Sequence, residues 1–112
     1  MKSYTDIEQS HKLAEFLPLE SADMCYPIDA FSVHYDKEPV CHYTGIGLAH
    51  PCWSLAALLG VLPYPSLHKT FSGWRCDSYD KEGKTCKLGE NADNPIDACY
   101  EMIVKLHELK RL

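Results

Sequence analysis

Cys52 and Trp53 stand side by side in the apolar stretch HPCWSLAALLGVL at residues 50–62. A thiol at a helix start has its thiolate stabilised by the positive end of the helix dipole, and a nearby histidine could act as its base. The chain carries six histidines, among them His42, His50, His68 and His107. One reading is therefore a small Cys-His hydrolase built on Cys52. A second reading takes CHYTGIGLAHPC as a metal segment. Cys41, His42, His50 and Cys52 are four zinc-type ligands within twelve residues, as a structural zinc-binding module would need. The third is plainer: Cys52 fills the core beside a large tryptophan, because free cysteine is among the most buried residue types.

The surroundings favour the plain reading. Papain-like proteases also join Cys to Trp, but here Ala49-His50-Pro51 replaces the C-G-S context. Those enzymes place about 130–150 residues between cysteine and histidine, more than this chain has left. Residues 41 and 42 would point to opposite faces of a strand, which suits one tetrahedral metal poorly. No C-x-x-C pair occurs. The stretch GIG at 45–47 is too short for a phosphate loop. Asp77, Asp80, Glu82, Glu90, Asp93 and Asp97 fall in turns or at a helix start, where carboxylates are expected without any catalytic role. Tyr26, Phe31, Tyr35, Tyr43, Trp53 and Trp74 read as core and sheet-face aromatics. No catalytic residue, cofactor or metal ligand is assigned, and Cys52 stands as the catalytic candidate.

Any such group needs a frame. The 112 residues suit one domain, with 46% hydrophobic and 24% charged residues in ordinary globular proportion. The formal net charge of −5 disfavours nucleic acid, whose phosphates call for a basic patch. The run at 51–62 would make roughly 18 Å of helix against the ~30 Å of a bilayer core, so no membrane span is expected. The opening MKSYTDIEQSHK has no apolar segment of secretory type, so the expected location is cytoplasmic and the six cysteines are expected as reduced thiols.

Helix signals mark three segments. In TDIEQSHKLAEFLP, Thr5 and Glu8 form a capping-box pattern, Ile7, Leu13, Ala14, Phe16 and Leu17 make the apolar stripe, and Pro18 ends the helix. The second helix is expected over 51–62, with Pro51 at its first position, Pro63 as its stop and apolar residues on every side, making it central to the core. The third starts at Asn94, an N-cap followed by Pro95, and presents Ile96, Cys99, Ile103 and Leu106 on one face. Strands are expected at 31–35 and 40–44 around a turn at 36–39, with another at 22–26. A hairpin over 70–88, with a loop at 79–83, would pair Cys76 with Cys86 and Trp74 with Leu88. The fold class is α+β, three helices with a small, mostly antiparallel sheet of hairpins.

Three segments, LAEFLPLESADM, PCWSLAALLGVLP and NPIDACYEMIVKLHELK, carry a likeness in that order and spacing. Through them the chain resembles a group of small uncharacterised proteins found in prophages and mobile elements of gut bacteria. The resemblance implies a cytoplasmic, non-essential accessory protein and brings no activity, ligand or site residue with it. The expected function is a non-enzymatic protein-protein interaction module whose partner is another protein or a second copy of itself.

Overall fold

A computed structural model of the protein describes residues 2–27 and 49–112. The described residues form an α+β fold of three helices and two small antiparallel sheets. The expected strands at 31–35 and 40–44, and the turn between them, lie outside the described residues.

The first helix, α1 (Ile7–Ala14), is capped by Asp6 rather than Thr5. The Asp6 carboxylate accepts from the Gln9 backbone N–H at 2.8 Å, and the Gln9 side chain accepts from the Asp6 N–H at 3.1 Å, a complete capping box. Thr5 is unavailable because its hydroxyl is buried in tertiary contacts, accepting from the Trp53 N–H at 3.1 Å and meeting Ser10 Oγ at 2.8 Å. Of the expected stripe, Leu13 is fully buried, Ile7, Phe16 and Leu17 are half-buried, and Ala14 is exposed. A 3₁₀ turn, Leu19–Ser21, follows Pro18 and leads into β1 (Met24–Pro27).

The expected helix over 51–62 divides in two. Its first residues belong to β2 (Ala49–Cys52), which pairs with β1 in the register Met24↔Cys52, Cys25↔Pro51 and Tyr26↔His50. Pro51 starts no helix. It is tolerated because, among the described residues, β2 pairs with one strand only, and a proline's missing N–H can be set on the side away from that partner. Helix α2 (Leu55–Val61) begins only after Ser54, the one polar residue of the run, whose hydroxyl accepts from the Ala57 N–H at 3.2 Å. Leu62 is already extended ahead of Pro63, as the residue before proline prefers. Within α2 only Leu58 is buried, while Ala56 and Gly60 are exposed, so this helix is not the centre of the core.

That place belongs to α3 (Pro95–Glu108). Asn94 accepts from the Asp97 N–H at 2.9 Å, and Ile96, Cys99, Ile103 and Leu106 are all fully buried, as their spacing predicts. Ala98 and Met102 broaden the buried face. Helix α3 packs against both α2 and the second sheet, and Trp53, Leu58, Leu13 and Cys76 complete one hydrophobic core with it. Its end is a Schellman turn: Lys110 N–H donates to His107 O at 3.0 Å and Arg111 N–H to Leu106 O at 2.8 Å.

The second sheet contains a strand that the sequence reading omits. Strands β3 (Ser66–Thr70) and β4 (Gly73–Tyr79) form a hairpin around Phe71-Ser72, with Leu67 opposite Cys76 and Lys69 opposite Trp74. Strand β3 shows no clean alternation, with Ser66, His68 and Lys69 all exposed, so the period that reveals a half-buried strand is missing. Gly73 is required at the turn. Its φ is +150°, and a Cβ there would collide with the Ala92 carbonyl, which pairs with the Trp74 N–H on the far side of β4.

The expected Cys76–Cys86 pairing is incorrect. Strand β5 (Cys86–Lys87) sets Cys86 opposite Tyr79 and Lys87 opposite Ser78, three residues away from the expected register. An odd shift turns the strand over, so Cys76 is buried and Cys86 exposed. The cause is Asp80. Its carboxylate accepts from the Glu82 and Lys84 N–H groups at 3.1 and 3.0 Å, winding the loop so that β4 runs on to Tyr79. Trp74 pairs with Ala92 instead of Leu88, and Leu88 is exposed.

Candidate functional site

Cys52 does not sit at a helix start. It ends β2, two residues before the cap of α2, and its side chain has no exposed surface. The thiol donates to the Thr5 carbonyl at 3.4 Å, and Thr5 Oγ1 lies 3.6 Å from the sulfur. Tyr26 closes the same polar knot by donating to Thr5 O at 2.7 Å. Burial pushes the Cys52 thiol above its ordinary value, against hydrogen bonds from Thr5, Ser10 and Tyr26 that pull it partly back. A nucleophilic thiol needs access and a lowered pKa, and this position supplies neither. The knot ties the N-terminal segment to β2, reinforced by the Thr5 N–H to Trp53 O bond at 2.9 Å.

The histidines among the described residues have separate surroundings. His50 stacks on His11 with ring centroids 3.9 Å apart, and burial, then the neighbouring His11, lowers its pKa. His107 stacks on Phe16 at 3.8 Å, nearly parallel. Cys41 and His42 lie outside the described residues. Among the described residues no group of three or more His, Cys, Asp or Glu side chains could hold a metal ion.

One cluster that the sequence reading missed has the composition of a hydrolase triad: Ser66, His68 and Asp77. Ser66 Oγ is 2.9 Å and Asp77 Oδ2 3.3 Å from His68, but both reach the same ring nitrogen, Nε2. A triad base takes the nucleophile's proton on one nitrogen while the carboxylate holds the other. Here one nitrogen cannot do both. Asp77 also accepts from Arg75 at 3.1 Å and from the Gly89 N–H at 2.9 Å, so the cluster serves to bury its carboxylate in a satisfied network.

A groove of about 670 Å³ opens among the described residues. Phe16 and Leu17, after α1, form one wall; Ala57 and Val61 of α2 form another; Ala22 and Leu112 complete the apolar lining. Glu20, Asp23 and His107 add polar groups. The groove is held open by fixed contacts. Trp53 Nε1 donates to Ser21 Oγ at 3.0 Å, the Ser54 N–H donates to Asp23 Oδ1 at 2.9 Å, and the Ser54 hydroxyl makes a short bond to Asp23 Oδ2. These bonds strap the 3₁₀ segment to the head of α2. The His107–Phe16 stack does the same between α3 and the end of α1. Gly60 lines the groove as well, with open space where a Cβ would stand.

Volume and lining suit apolar groups anchored by a few polar ones. The groove's lining contains no cysteine, so the arrangement offers binding rather than thiol chemistry. No sequence signal marks it, because its walls come from residues about 40 to 90 positions apart that only the fold assembles. Comparisons with protein-family models, with curated proteins and with solved structures find no match. No helix among the described residues is long and apolar enough to cross a membrane.

Proposed function

We propose that this chain is a small cytoplasmic accessory protein of mobile elements, a non-enzymatic module that docks a segment of another protein in the groove between the segment after α1, helix α2 and the end of α3. The observation that carries the reading is a preformed apolar concavity whose walls are pinned by hydrogen bonds, so little ordering is needed on binding. The occupant is a peptide segment with two or three apolar anchors and basic flanks. Glu20 and Asp23 among the lining residues, and the net charge of −5, complement such flanks. Leu19, exposed beside the groove, extends the apolar contact outward. The segments that carry the resemblance at 13–24, 51–63 and 94–110 are also those that supply almost all of the lining.

Selection of random displayed peptides against the folded protein tests this. The expected binders combine apolar anchors with Lys or Arg and lose at least tenfold in affinity for Gly60→Arg, which fills the groove from a position with room for a side chain. Binders that hold the wild type and Gly60→Arg equally, or that carry acidic flanks, would overturn the proposal.

A further inference from the structure

The groove's lining is not uniform in chemistry. Two of its rings lie face to face: Phe16, after α1, stacks on His107 of α3 with centroids 3.8 Å apart and planes 6° from parallel. A stack sealed in the core would be packing alone. Here His107 is exposed, Phe16 is half-buried and both line the groove, so part of the pair's ring surface is open to an occupant. The same lining includes Ala22, Ala57 and Gly60, whose short side chains leave room for a large one. At Gly60 nothing stands within 4 Å of where a Cβ would be. Charge is divided as well. Asp23 turns one carboxylate oxygen to the Ser54 N–H and the other to the Ser54 hydroxyl, so the protein itself engages it. Glu20 lines the groove from an exposed position on the 3₁₀ turn, where its charge is the better placed to meet a cation. We propose, resting on the groove reading above, that the occupant's principal anchor is an aromatic side chain seated against the Phe16–His107 stack, with a Lys or Arg of the same segment paired to Glu20.

Ring chemistry separates an aromatic anchor from an aliphatic one. Two rings meet by offset stacking or edge to face, because the negative face of one attracts the positive edge of the other. An aliphatic anchor of equal area gains the burial but not this attraction. The difference is about three- to tenfold in affinity. An aromatic side chain also loses little freedom on docking, since only two torsions position it. The ion pair has a different role. Glu20 is exposed, so water screens its partner, and the pair sets the direction of the segment more than its affinity. The two contacts together define the recognised feature, a ring and a cation on one short segment.

The test uses the full chain and displayed peptides that the wild type binds and Gly60→Arg does not. An alanine scan of each peptide finds the position whose loss weakens binding most, and the residue expected there is Phe, Tyr or Trp. Replacing it by cyclohexylalanine keeps bulk and apolar surface but removes the π-system. Affinity should then fall about three- to tenfold, read by fluorescence anisotropy. In His107→Leu that difference should shrink to less than about twofold. A thermal melt checks the fold of this variant; should it fold poorly, the cyclohexylalanine comparison decides alone. Glu20→Lys should weaken peptides bearing Lys or Arg at least about threefold and spare the same peptides with Gln in those places. Leu, Ile or Met at the principal position, equal binding of the cyclohexylalanine peptide, or a difference unchanged in His107→Leu would overturn the aromatic anchor while leaving the groove reading in place. Equal affinity of basic peptides for Glu20→Lys and wild type would overturn the ion pair in the same way. Binders indifferent to Gly60→Arg, or no binders at all, would instead remove the groove reading and this inference with it.

Discussion

At the scale of single residues, exposure separates the cysteines more sharply than position in the chain does. Cys86 faces solvent on a two-residue strand, whereas Cys52, Cys76 and Cys99 are enclosed in the core. Thiol reagents react with the thiolate, and burial pushes Cys52 away from that form. With the reduced protein, a thiol reagent at neutral pH should therefore modify Cys86 first among these four, and Cys52 only as fast as the fold opens. Peptide mapping over time checks this, and labelling of Cys52 faster in the folded protein than in denaturant would restore the nucleophile reading. The burial of Cys52 was legible in its apolar context. The fate of Cys76 and Cys86 was not, because a carboxylate outside the expected strands, Asp80, gathers loop N–H groups and sets the register.

At the scale of elements, local chemistry decides where helices start and stop. Asn94-Pro95 begins α3 and Ser54 begins α2, each by a side chain accepting from an N–H three residues on. Such signals are readable wherever nothing else claims the capping residue; Thr5 shows the converse, its hydroxyl spent on Trp53 and Ser10. The end of α3 carries a visible flaw. Lys110 closes the Schellman turn with φ of +58°, a left-handed conformation that a Cβ disfavours and glycine adopts freely. Lys110 is exposed, so little packing is lost on truncation. Lys110→Gly should stabilise the protein by about 1 kcal/mol, read as a higher urea midpoint at unchanged slope. A fall in the midpoint would show that the lysine's charge near the helix terminus outweighs its strain.

Across the whole molecule, the hardest features to read were those assembled from distant segments: the groove, the omitted strand β3, and the junction joining the N-terminal stretch to α3. At that junction Lys2 Nζ lies 2.9 Å from Asp97 Oδ1 and 2.8 Å from Gln9 Oε1, while Gln9 Nε2 donates to the same Asp97 oxygen at 2.8 Å. The sequence placed Asp97 in the first turn of α3 but held no clue that a lysine 95 residues earlier would meet it. Burial opposes the Asp97 charge, yet the hydrogen bonds from Lys2, Gln9 and Asn94 outweigh it and hold the carboxyl below its ordinary 3.8. Burial likewise opposes the Lys2 charge, and the Asp97 and Asp6 carboxylates outweigh it, raising the ammonium above 10.5. A depressed acid contributes stability that is complete above its unfolded pKa and vanishes as pH falls through its folded one. A raised base contributes stability that is complete below its unfolded pKa and is lost as pH rises through its folded one. The junction is therefore at full strength between about pH 5 and pH 9 and fades beyond both ends. Both side chains are mostly covered, so its worth at neutral pH is about 1 kcal/mol. Asp97→Asn should lose about that much at pH 7, and the gap to wild type should close as pH falls below about 3. Denaturation midpoints of the two proteins across that range are the measurement, and a gap that stays constant down to about pH 2 would mean that the junction holds by shape and neutral hydrogen bonds rather than by charge.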